Sequence, residues 1–163
     1  MVDAHTLQIV RDIIAILGVV IGFTYYVITL RNQTKSLQIQ IIKGTGNPVS
    51  SYKFMELEWT DYDDYMDRHG DGGESQYWKD VLNWFNRFEE YGVYVKEGML
   101  NIRPIVLLSG GSFTRSWELY ESLIHEHRKR INEPRWFIEA EYLYGKIQEY
   151  YKKHPKLAPQ PMN

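Results

Sequence analysis

Two histidines, an acidic run, a glycine pair and one glutamate are where this sequence could do chemistry. His125-Glu126-His127 sets two imidazoles around a carboxylate, and neutral imidazole is the commonest metal ligand. A zinc protease needs HExxH, with both histidines on one helix face; here the second would fall at Lys129. Residues two apart on a helix point about 200° apart, so His125 and His127 cannot chelate one ion together. A diiron carboxylate bundle needs Glu-x-x-His pairs. Three residues before His125, His127 and His69 stand Ser122, Ile124 and Met66. His127 is therefore expected at the rim of a core and His125 in solvent.

Between Glu56 and Asp71 lie Glu56, Glu58, Asp61, Asp63, Asp64, Asp67 and Asp71. Clustered carboxylates suit a hard cation. A calcium loop beginning at Asp67 would match at Asp71 and Gly72, but it fails at its third position, His69, and at its twelfth, Trp78. The plainer reading is a solvated helix face, with Asp64 and Arg68 as an i,i+4 pair. Ser109-Gly110-Gly111-Ser112 could form a backbone nest for an anion at the start of the next helix, with Arg115 nearby. It is no P-loop, which needs GxxxxGK[ST], and a helix break plus a cap explains the same residues without a ligand. Glu89 sits beside Phe88 on an apolar helix face. A partly buried carboxylate needs a partner, so a structural ion pair of Glu89 with Arg115 or Arg128 is expected rather than catalysis. The residues thus predict no catalytic constellation, no metal site and no cofactor.

Composition narrows the frame that must hold these groups. The chain has 163 residues, a net charge of -2 and no Cys, which excludes disulfides, thiolate metal sites and cysteine nucleophiles. Residues 47–98 carry five basic and twelve acidic side chains; residues 112–163 carry nine and seven. Phosphate binding needs clustered Lys and Arg, so the acidic middle argues against a nucleic-acid partner. Two oppositely biased helical regions packing together is the simpler account.

From Ile13 to Leu30 the sequence IIAILGVVIGFTYYVITL is uncharged. Eighteen residues at about 1.5 Å each reach about 27 Å, close to the roughly 30 Å hydrocarbon core of a bilayer. The segment before it is not clearly basic, and no small-x-small cleavage site follows Leu30, so an uncleaved anchor is expected rather than a signal peptide. Arg11 before the span is offset by Asp3 and Asp12, whereas Arg31, Lys35 and Lys43 follow it. The positive-inside rule then puts the N-terminus outside the cell membrane and the rest in the cytoplasm. Ala15, Gly18 and Gly22 form a small-residue strip where another helix, a second copy or a different subunit, can approach closely. Leu30, Thr34, Leu37 and Ile41 continue one stripe beyond the span, a short juxtamembrane stalk.

Beyond a linker at 44–47, apolar residues recur every three or four positions. A first helix from Pro48, capped by Asn47, carries Tyr52, Met55, Trp59, Tyr62 and Met66 to about Arg68. A second holds Trp78, Val81, Leu82, Phe85, Phe88, Gly92 and Val95, and stops at Gly98. A short turn spans Pro104 to Leu108. Ser112 or Thr114 caps a third helix with Trp117, Tyr120, Ile124, His127 and Ile131. After Asn132-Glu133-Pro134 the last helix carries Trp136, Ala140, Leu143, Ile147 and Tyr150. Pro155, Pro159 and Pro161 make residues 154–163 a Pro-rich tail expected to be disordered. The fold class is all-α: a flank over 1–7, one transmembrane helix with its stalk over 8–43, and a small helical bundle over 48–153.

The span, the block Trp59-Thr60-Asp61-Tyr62-Asp63-Asp64-Tyr65, the block Phe88-Glu89-Glu90-Tyr91-Gly92 with Val95-Lys96-Glu97-Gly98, the pair Trp117-Glu118 and Arg128 together resemble an uncharacterised prokaryotic family of membrane-anchored helical proteins, a domain of unknown function. The resemblance implies a fold and a topology, and carries no established activity and no catalytic residues. The expectation is a non-enzymatic, membrane-anchored interaction module, an accessory subunit of a larger membrane complex, whose partners are membrane lipid and another transmembrane helix. The competing class is a membrane-tethered enzyme or ligand sensor using the acidic Asp61–Asp64 face or the Ser109–Ser112 nest.

Overall fold

The computed structural model describes residues 3–44, 57–70 and 75–159, and all regular structure among them is helical. The chain divides into two compact units, Met1–Gly44 and Thr45–Asn163. The first is a single helix, α1 (Ala4–Gly44). Its apolar stretch runs over Leu7–Gln40, 34 residues with none of its most apolar window buried. Thr24 and Thr34 donate their hydroxyls to the carbonyls of Val20 and Leu30, at 2.8 and 3.0 Å. Each hydroxyl is thereby satisfied within the helix. The stalk continues α1 without a break to Gly44.

The second unit begins, among described residues, at Leu57. Helix α2 (Tyr62–Tyr65) passes into a π-helical turn over Met66–Gly70. This is shorter than the helix expected from Pro48 to Arg68. Asp61 caps α2 by accepting the Asp64 N–H at 3.0 Å, and Asp64 reaches back to the Thr60 N–H at 2.9 Å. This reciprocal pair fixes the helix start at Tyr62 and leaves Leu57–Thr60 irregular. The expected start at Asn47-Pro48, with Tyr52 and Met55, and the loop at Asp71-Gly72-Gly73 lie outside the described residues.

Helix α3 (Gln76–Lys96) ends in a Schellman turn: Gly98, at φ +70°, donates to the Val95 carbonyl, and Met99 to that of Tyr94. Helix α4 (Ile102–Ile105) runs through a π-helical turn, Val106–Gly110, directly into α5 (Gly111–Arg130). Asn132, at φ +54°, closes α5 in a second Schellman turn, with Glu133 donating to the Arg128 carbonyl. Phe137 is left-handed at φ +55° and 3% exposed; burying its ring offsets a backbone cost on the order of 1 kcal/mol. Helix α6 (Ile138–Lys153) follows.

Helix α3 packs most extensively on α6, and α5 lies against both α2 and α6. The core between them is aromatic. Phe88 stacks on Phe113 at 4.0 Å, Phe85 meets Trp117 edge-on at 5.9 Å, and Trp59 leans on Tyr120 at 4.8 Å. Trp84 donates its indole N–H to Ser116 Oγ at 2.8 Å, so the polar end of that buried ring is satisfied. The tail begins with a 3-10 turn over Pro155–Leu157, and Pro159 lies close to Gly111. Residues 160–163, with Pro161, lie outside the described residues.

Candidate functional site

The block Trp59–Tyr65 meets the basic end of α5. Arg130 grips Asp63 with both terminal nitrogens, at 2.7 and 2.9 Å, holds Glu126 through Nε at 3.1 Å, and lies 4.5 Å over the Tyr62 ring. Tyr62 Oη and His127 Nδ1 share a hydrogen bond of 2.8 Å. The His127 ring sits 4.4 Å from Trp136 and 5.3 Å from Trp78. Burial among these rings pushes its pKa down, so the imidazole is neutral at pH 7. His125 is half-exposed, its Nε2 3.6 Å from Glu141. A cleft of 410 Å³ opens beside this contact, lined in part by Trp59, Asp61, Asp63, Ser122, Glu126 and Arg130.

The carboxylates at this contact, Asp61, Asp63, Asp64 and Glu126, are each engaged. Asp61 caps α2, Asp63 holds Arg130, and Asp64 accepts from Thr60 and Arg68. The Thr60 N–H, more than the Arg68 charge, holds the Asp64 carboxyl below its ordinary range. Glu126 is held down likewise, by Arg130 and then Lys129. Among the described residues no group of three or more His, Asp or Glu is placed to hold a metal ion. The contact is exposed and solvent-screened, so its ion pairs position α2 on α5 more than they stabilise it.

The second constellation is built at the start of α6, which has no capping side chain of its own. Glu89 of α3 supplies one, accepting the Ala140 N–H at 2.7 Å and also that of Glu139. Backbone N–H groups are thus the hydrogen-bond donors to this carboxylate, and Arg128 of the expected pair adds a weaker charge interaction. Burial raises the Glu89 pKa, the two N–H groups oppose that rise, and the charge of Arg128 makes the smallest contribution. Arg128 is bonded instead to the Trp136 carbonyl and to Glu141, both at 2.6 Å. Arg115 is exposed on α5. Glu89 and Arg128 still converge, each on the turn that launches α6. That turn rests directly on Gly92: a Cβ there would lie 2.0 Å from the Glu139 carbonyl oxygen. Lys96, one turn on, pairs with Glu139 at 2.7 Å. Sequence periodicity put Gly92 on the core face but offered no sign of Glu139 as its neighbour.

The Ser109–Ser112 nest is not formed. Gly110 and Gly111 have right-handed helical backbone, φ/ψ of −57°/−42° and −65°/−43°. A nest needs alternating handedness, and a helix N-terminus needs a helix that begins there. Neither condition holds in the middle of the continuous run Ile102–Arg130. Ala15, Gly18 and Gly22 lie in α1, and both glycines face open space in this chain.

A family model described as a domain of unknown function (DUF4760) matches residues 12–147. No curated protein and no solved structure matches the chain.

Proposed function

The chain belongs to the family described as a domain of unknown function (DUF4760), and we propose that it is a non-enzymatic interaction module anchored in the cell membrane by α1, an accessory subunit of a larger membrane complex. The observation that supports this most is α1 itself. It is 41 residues long and carries an apolar stretch over Leu7–Gln40 that is long enough to cross a membrane. An apolar surface of this length is stable against lipid or another apolar helix. The open strip at Gly18 and Gly22 favours the helix as partner. Arg31, Lys35 and Lys43 favour a cytoplasmic helical unit, with the N-terminus outside. Among the described residues, Asp61, Asp63, Asp64, Glu89, Glu126, Arg128 and Arg130 are engaged in caps and ion pairs, which favours a binding role over catalysis. The acidic face of the competing enzyme or sensor reading is occupied by its own neighbours.

Two measurements on full-length protein test this. Membranes carrying it are washed at alkaline pH, and the retained protein is sized in mild detergent with its companions identified. Retention, with a defined set of membrane proteins lost on Gly18→Ile and Gly22→Ile, is expected. Release by alkali would sink the anchor. A retained monomer whose size ignores both substitutions would sink the subunit reading.

A further inference from the structure

We draw no further inference here: the strongest candidate, the 430 Å³ cavity at the end of α5 lined by His125, Arg128, Lys129, Asn132 and Pro134, carries nothing, because the groups that would hold an anion there are already taken up within the chain, Arg128 and His125 by Glu141 and Lys129 by Glu126.

Discussion

Ile14, Val19 and Phe23 of α1 are 63%, 73% and 68% exposed, whereas Phe85, Phe88 and Phe113 of the helical unit are at most 1% exposed. The same class of side chain is turned outward in one unit and inward in the other. The helical unit is held together by taking rings out of water, at about 25 cal/mol per Å² of apolar surface. Helix α1 is held by its own backbone hydrogen bonds, and its apolar stretch is long enough to cross a membrane. One consequence is practical: all five tryptophans, Trp59, Trp78, Trp84, Trp117 and Trp136, lie in the helical unit. Their emission reports on the unit that buries and is silent on the helix that does not.

Substitutions read by tryptophan emission in denaturant should therefore separate the two regions. The largest effect is expected for Phe88→Ala, which removes a ring stacked at 4.0 Å on Phe113 and should cost about 3–5 kcal/mol. Gly92→Ala comes next, at about 3 kcal/mol, because the added Cβ meets backbone at Glu139 and backbone cannot rotate away. A cost below half of that would mean α6 is free to slide on α3. Glu89→Ala should cost about 1–2 kcal/mol, as losses of a helix cap do, while Glu89→Gln keeps an acceptor oxygen for the Ala140 N–H and should cost less than half as much. If Gln and Ala are equal, the carboxylate charge matters more than the cap.

The pH effect is smaller. The His127 pKa is lower folded than unfolded, so between the two values the unfolded chain binds the extra proton. Stability is then full above the unfolded value, about 6.5, and falls as pH drops through it toward the folded value. The denaturation midpoint should decline over that window, and His127→Gln should flatten the decline. The smallest effect is expected in the other region: Ile16→Ala in α1 removes a side chain that is 64% exposed and should leave the midpoint unmoved.

What could be read in the sequence follows from the kind of signal each feature leaves. Helix α3 was legible almost to the residue, because Trp78, Val81, Phe85 and Phe88 repeat at helical spacing and Gly98 supplies the one left-handed position its end requires. The break expected at Gly110-Gly111 is absent because glycine permits a break without imposing one. Gly110 is small for another reason: a Cβ there would lie 2.7 Å from Tyr151 Oη. The Glu89 site was legible as a buried charge in need of a partner. Its partner is a pair of peptide N–H groups, which every non-proline residue owns and no letter advertises. Leu107 and Leu108 fall in the short turn expected over Pro104 to Leu108, and the structure puts both, exposed, on a π-helical turn inside a continuous helical run.

That turn also has a meaning in terms of insertions and deletions. Each residue of a regular helix advances the chain by about 100° and 1.5 Å. Removing one residue between Val106 and Gly110 would tighten the wide turn into an ordinary one without breaking the helix. The wide turn itself absorbs the lost residue, so Ile105, now 1% exposed, and Phe113 keep nearly their present directions. A deletion in the regular part of α5 has no such slack and would swing everything before it through roughly a quarter turn. The π-helical turn is thus the place in the continuous run Ile102–Arg130 where the chain can lose a residue and keep the register of its core.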